Sequence, residues 1–186
     1  MATSPSFDSA KRSVWTIGHS TRTFASFADL LDEHRIECLA DVRRFPTSAR
    51  AAWSVKVRLE AALHGRGIRY DHFEALGGFR SSRPDSPNVG WRNASFRAYA
   101  DHIGSTEFTV ALNRLIAIAL GHRTAVMCAE AVPWKCHRSL LADVLLLRGF
   151  HVVHVLAPGK TKDHRLTRFA AVRGGQLTYP EPQEGA

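Results

Sequence analysis

Apolar positions along this chain follow two rhythms. Short continuous runs read as buried strands, and stretches where apolar side chains recur every three or four residues read as helices with one covered face. Residues 13–17 form the first β-prone run and end in Gly18-His19-Ser20. Thr23 offers an N-cap to a helix whose Phe24, Phe27, Leu30 and Leu31 share a face. Residues 36–40 read as a buried strand with Asp41-Val42-Arg43 at its end. Residues 54–65 carry Val55, Leu59, Ala62 and Leu63 at helical spacing, Gly65 and Gly67 stop that helix, and residues 68–70 predict a third strand.

Residues 71–93 lose this periodicity and hold Gly77-Gly78, Pro84, Pro87, Gly90 and Trp91. A loop of that length is uncommon in a compact domain and is usually functional or mobile. Helical spacing returns over 96–102 and 106–120. The clearest unit follows: a strand at 124–128, a helix over 138–148 striped with Leu140, Leu141, Val144 and Leu145, and a strand at 151–156. Strands separated by helices predict an α/β fold. We expect a single three-layer domain with a mostly parallel sheet of about five strands and helices on both faces. The domain runs over 13–158, between an N-terminal extension at 1–12 and a basic C-terminal segment and tail at 159–186. The stretch 174–186 is expected to be poorly ordered.

Composition narrows the class. The 186 residues are 45% hydrophobic and 23% charged, which argues against disorder, collagen or a coiled coil. No apolar run approaches the length of a membrane span, so no membrane partner is expected. Residues 1–10 lack the charged start and apolar stretch of a signal peptide. Three cysteines are too few for a disulfide scaffold, and the odd count favours reduced thiols and a cytoplasmic location. The net charge is +8, and 20 of the 25 basic residues are arginine. Arginine grips carboxylates and phosphates two bonds at a time, so the composition points to an anionic partner.

Ligands of a parallel sheet gather at the carboxyl ends of its strands. Three polar segments fall there: 18–22, 41–48, and Cys128-Ala129-Glu130 through Cys136-His137-Arg138. In the third segment, backbone N–H groups at a helix start favour an anion and lower the pKa of a nearby thiol. Cys128, Glu130 and His19 are therefore the candidate catalytic residues. Ser20, Arg22, Asp41, Arg43, Ser48, Cys136, His137 and Arg138 are the candidate ligand-binding ones. Each has a plainer reading. Cys128 can pack as a small hydrophobe beneath its loop, while Glu130 and Arg138 hold that loop in shape. His19 can close its turn through a carbonyl, and Ser20 can act as a cap. Asp41 among arginines suits pairing with Arg43 or Arg22 better than proton abstraction. Cys128, Cys136, His137 and His19 are ligand types for zinc, but the short Cys-x-x-Cys spacing is absent, and no metal site is assigned.

The stretch 43–92 holds ten basic and four acidic residues, interleaved with Trp53, Tyr70, Phe73, Phe79 and Trp91. Such mixtures suit stacking on bases together with phosphate contacts, so nucleic acid is a possible partner. The alternative, aromatics covering core beneath a solvated basic face, is preferred because no nucleic-acid-binding motif is present. The basic run 160–173 reads as surface or as a closing segment. His151 and His154 read as strand-end or surface residues.

The order Thr-Ile-Gly-His-Ser (16–20), Asp-Val-Arg-Arg-Phe-Pro-Thr-Ser (41–48), Leu-Gly-Gly (76–78) and Met-Cys-Ala-Glu through Cys-His-Arg (127–138) resembles the domain of unknown function 488 family. The resemblance runs over about 14–156. It implies a compact α/β domain with no assigned reaction. Its characteristic positions fall on Gly18, His19, Ser20, Asp41, Arg43, Pro46, Ser48, Gly77, Gly78, Cys128, Glu130, Cys136, His137 and Arg138. A looser pattern, strand–Asp-Val-Arg and then strand–Cys–loop–Arg–helix–Gly-Phe–strand, is similar to the rhodanese-type sulfurtransferases and more distantly to the cysteine phosphatases. Those families cradle an anion in a short loop from cysteine to arginine. Here nine residues separate Cys128 from Arg138, so the tight cradle is not reproduced. The leading expectation is an enzyme or enzyme-like protein that binds a small anionic or nucleotide-like ligand. Cysteine-based thiol chemistry and nucleic-acid binding are the alternatives.

Overall fold

A computed structural model describes residues 12–182. Except for Arg12, the N-terminal extension lies outside the described residues, as does the end of the tail. The chain runs through β1 (Ser13–Gly18), α1 (Phe24–Glu33), β2 (Cys38–Asp41), α2 (Lys56–His64), β3 (Arg69–His72), α3 (Ala94–Ile103) and α4 (Thr106–Gly121). It continues through β4 (Thr124–Cys128), α5 (Arg138–Leu147), β5 (His151–Ala157), β6 (Lys160–Asp163), β7 (Ala171–Arg173) and β8 (Gln176–Thr178). Six strands form one sheet in the order β3-β2-β4-β1-β5-β6, and β7 and β8 form a separate antiparallel ribbon. The pairings β1–β4, β1–β5, β2–β3 and β2–β4 are parallel, and β6 is antiparallel to β5.

The strands' alternation divides their side chains between two cores. Trp15, Ile17, Leu39, Ala125, Met127, Val153 and Val155 pack with Phe27, Leu30 and Leu31 of α1 and Leu59 and Leu63 of α2. Val14, Ala40, Val126, Cys128 and Val152 face the other way. They pack with Tyr99 of α3, Phe108, Leu112 and Leu115 of α4, and Leu140, Leu141, Val144 and Leu145 of α5. Each fully buried Val, Leu, Ile, Phe or Met among them contributes roughly 1.5–3 kcal/mol relative to exposure. The result is the expected three-layer α/β domain with helices on both faces of a mostly parallel sheet.

The structure corrects the sequence reading in several places. There is a sixth strand, and the reading missed it because β6 reads Lys-Thr-Lys-Asp and every residue of it is exposed. The stretch after 173 is not all loose, since β8 lies in it and Tyr179 beyond β8 is fully buried in the core. His154 is not a surface residue but is 4% exposed within β5. The irregular stretch begins later than residue 71, because β3 runs on to His72 and a single helical turn covers Glu74–Leu76. Among the described residues no single helix is long and apolar enough to cross a membrane.

Candidate functional site

Register fixes the site. Gly18 of β1 stands opposite Cys128 of β4, and Asp41 of β2 stands opposite Met127. The three polar segments therefore emerge side by side from the neighbouring strands β2, β4 and β1. The loop after β1 continues the ladder past the sheet: the His19 N–H donates to the Cys128 carbonyl (3.0 Å) and the Ser20 N–H to the Ala129 carbonyl (2.9 Å). Gly18 is needed for this approach, because a Cβ there would lie 1.8 Å from the Glu130 carbonyl oxygen.

The first two segments build a buried frame. Asp41 is fully buried, and Arg43, 5% exposed, grips it through Nε (2.9 and 3.1 Å) and Nη2 (2.5 Å). The Tyr70 hydroxyl donates to the same carboxylate at 2.8 Å, and Arg43 also donates to the Ser54 carbonyl at 2.7 Å. His19 packs edge-on against Trp53, with its Nδ1 3.1 Å from the Ser20 carbonyl and its Nε2 3.4 Å from Arg43. Burial first, then the Arg43 charge, pushes its pKa down. Arg22 donates to the carbonyls of Gly18 and Leu156, joining the ends of β1 and β5. The Ser48 hydroxyl accepts from the Ala51 N–H (3.0 Å).

The third segment carries the reactive groups. Cys128 Sγ and Cys136 Sγ lie 3.1 Å apart. The loop between them contains a tight turn at Pro133–Lys135 that folds it back on itself. The Glu130 N–H donates to Cys128 Sγ and the Arg138 N–H, at the start of α5, donates to Cys136 Sγ, both at 3.3 Å. Beneath them lies Arg138, 1% exposed. Its Nη2 donates to the carbonyls of Glu130 (2.5 Å) and Ala131 (3.3 Å), and Nη1 reaches Thr16 Oγ1 at 3.4 Å. Its Nε has no hydrogen-bond partner, and among the described residues no carboxylate pairs with its charge.

A buried guanidinium without a carboxylate is costly unless another anion is near. The sulfurs supply one. Burial opposes the Arg138 charge, but Cys128 and Cys136 outweigh it and hold its pKa up. In return the two thiols separate. The Cys128 S–H bond and Arg138 push the Cys136 pKa down, whereas burial and the neighbouring sulfur push Cys128 up. Both shifts favour ionisation at Cys136 over Cys128.

Above the sulfurs opens a cavity of about 470 Å³. Arg43, Cys128, Glu130, Cys136 and His137 line it, with Arg44 and Lys135 as further cations and Phe45, Phe79 and Phe96 as its apolar wall. His137 packs at a tilt against Tyr99 and donates from Nε2 to the Val42 carbonyl (3.2 Å). Burial lowers its pKa to about 4, so the ring is neutral. Phe45 and Phe79 are 59% and 82% exposed at the mouth, their rings 6.1 Å apart. Gly77 lets the 77–79 turn lie against the 44–45 backbone, since a Cβ there would stand 2.5 Å from the Arg44 nitrogen.

His19, Ser20, Arg22, Asp41, Ser48 and Arg138 do not line this cavity; Asp41 and His19 meet its lining residue Arg43, and Arg138 meets Glu130 and Cys136. The Glu130 carboxylate is exposed, and that residue's contacts to Cys128 and Arg138 are made by its backbone. Among the described residues no three His, Cys, Asp or Glu side chains are grouped to hold a metal ion.

A second network, missed in the sequence, supports the first from α5. Asp143 is fully buried and accepts from His164 Nε2 (2.8 Å), the Thr167 N–H (2.9 Å), the Thr167 hydroxyl (2.7 Å) and the Tyr179 hydroxyl (2.9 Å). His164 Nδ1 lies 3.0 Å from His154 Nε2, and His154 Nδ1 lies 2.7 Å from Thr16 Oγ1, which meets Arg138. An aspartate inside the leucine-rich face of α5 was the signal that could have exposed this network.

Comparison with family models matches residues 23–145 to the domain of unknown function DUF488. No curated protein and no solved structure gave a match.

Proposed function

The chain belongs to the DUF488 family, whose name carries no reaction, so we propose one from the site itself: an enzyme that admits a small anionic ligand to the cavity and attacks it with the Cys136 thiolate. The observation that carries this reading is the Cys136 sulfur. It sits at the start of α5, lies 3.1 Å from the Cys128 sulfur, takes a hydrogen bond from the Arg138 N–H, and is backed by a buried guanidinium that, among the described residues, no carboxylate neutralises. Thiolate, not thiol, is the nucleophile, and a lowered pKa makes it available at neutral pH. Arg44 and Lys135 at the rim favour an anion, and the phenylalanine wall favours an apolar or planar body attached to it. The Asp41–Arg43 pair holds the loop after β2 in place rather than exchanging protons, since both partners are saturated by protein groups.

Alkylation by iodoacetamide across pH tests this. Cys136 should label first, with an apparent pKa below the ordinary thiol value of about 8.5. Cys128 and Cys38 should lag, Cys38 because burial and Asp71 push its pKa up to about 12. Equal labelling of Cys136 and Cys128 at an ordinary thiol pKa would remove the activated nucleophile.

A further inference from the structure

We propose that Cys128 and Cys136 act together as a dithiol–disulfide pair that exchanges with small anionic disulfides, with Cys136 attacking and Cys128 resolving. The proposal rests on the nucleophile reading above and goes further by naming the substrate class and a role for the second cysteine. Its geometric basis is the 3.1 Å separation of the two sulfurs. They must close by about 1 Å to reach bonding distance. Both cysteines line one cavity, Cys128 as the last residue of β4 and Cys136 just before α5, with a single loop between them.

The chemistry runs in two displacements. The Cys136 thiolate attacks one sulfur of the substrate disulfide, a Cys136–substrate S–S bond forms, and the substrate's S–S bond breaks, releasing one thiolate. Cys128 then loses its proton to a departing substrate thiolate and attacks the Cys136 sulfur. The mixed disulfide breaks, the second substrate thiolate leaves, and a Cys128–Cys136 bond remains. The substrate has gained two electrons and the protein pair has lost two. Two equivalents of a small monothiol, entering by the same cavity, reverse both displacements and close the cycle.

Arg138 makes the second step follow the first. While Cys136 is a thiolate, it compensates the buried guanidinium, and Cys128 keeps its proton. Once Cys136 is tied into a mixed disulfide, that negative charge is gone and Arg138 faces only Cys128. The buried cation then favours ionisation of Cys128, the group that must ionise to resolve the adduct. The same charge favours the reduced pair over the disulfide, since oxidation leaves Arg138 with no anion at all. A monothiol can therefore return the pair to its starting state.

The probe is dithiobis-nitrobenzoate, an aromatic disulfide with a carboxylate on each ring, matched to Arg44, Lys135 and the Phe45–Phe79 mouth. Colour release and intact mass are followed on the full chain carrying Cys38→Ala, so that only the pair reports. The expected result is two equivalents of coloured thiol per chain and a protein two hydrogens lighter with no adduct. Adding Cys128→Ser should stop the reaction at one equivalent, with the adduct retained. Adding Cys136→Ser instead should slow the first release by at least about tenfold. Retention of the adduct by the chain with both cysteines intact overturns the exchange pair while leaving Cys136 a nucleophile. First release undiminished in Cys136→Ser overturns both readings. Neutral hydroxyethyl disulfide reacting as fast as the dianionic probe, each rate taken relative to that with a free monothiol, overturns the anionic substrate class.

Discussion

Gly18 shows how narrowly single residues set this site. A methyl group there would collide with the Glu130 carbonyl, and that carbonyl is the main acceptor for Arg138. Gly18→Ala should therefore cost about 3 kcal/mol in chemical denaturation, because the obstruction is backbone and cannot turn aside. It should also raise the Cys136 thiol pKa as the loop shifts off Arg138; an unchanged alkylation profile would show the loop to be more forgiving than this geometry allows. The positions of Gly18, Asp41, Cys128 and Arg138 at strand ends and a helix start were legible in the sequence, because apolar runs mark where strands stop. What Arg43 and Arg138 do there was not. Spacing cannot distinguish an arginine that faces a ligand from one that satisfies carbonyls behind the site, and Arg22, Arg43 and Arg138 all donate to protein groups.

At the scale of elements, α5 connects the site to the rest of the fold. Its first residue is Arg138, and Asp143 lies further along it, buried and accepting four hydrogen bonds from 164–179. Asp143→Asn keeps the shape but exchanges a charged acceptor for a neutral amide, whose NH2 meets the Thr167 and Tyr179 hydroxyls and forces both to turn from donating to accepting. We expect a loss of about 3 kcal/mol, together with faster amide exchange in β6, β7 and β8 than in β1 or β4. A uniform change across all strands would show that the C-terminal segment is not held chiefly at Asp143. These contacts were invisible to periodicity, which sees neighbours three or four residues apart and not partners separated by 21 to 36 positions. The ribbon β7–β8 escaped because its strands, Ala-Val-Arg and Gln-Leu-Thr, are too short to show a period.

For the whole molecule, charge and burial together set the response to pH. His137 and His154 are buried, and their pKa values are lowered to about 4 and about 3, chiefly by desolvation. Unfolding restores an ordinary histidine value near 6.5, so the unfolded chain binds more protons below that pH. Their contribution to stability is complete above about 6.5 and is lost as pH falls through the folded values. Denaturation midpoints should accordingly fall steadily from pH 6.5 to 4, and His154→Gln should flatten that slope; a flat wild-type profile would mean these rings are not held neutral. The net charge of +8 also resolves into particular pairs. In the arginine-rich stretch 43–92, Arg43, Arg66, Arg69, Arg80 and Arg83 meet Asp41, Asp32, Asp71, Glu107 and Asp85. Trp53 and Phe73 cover core, while Phe79 stands open at the cavity mouth. The line from Tyr179 and Asp143 through His164, His154 and Thr16 to Arg138 also has a consequence in time. Both cysteines leave the ribosome well before His164, Thr167 and Tyr179, so the thiols are made first and the groups that steady their counter-cation last. The nascent chain therefore passes through an interval in which the pair exists without its supports.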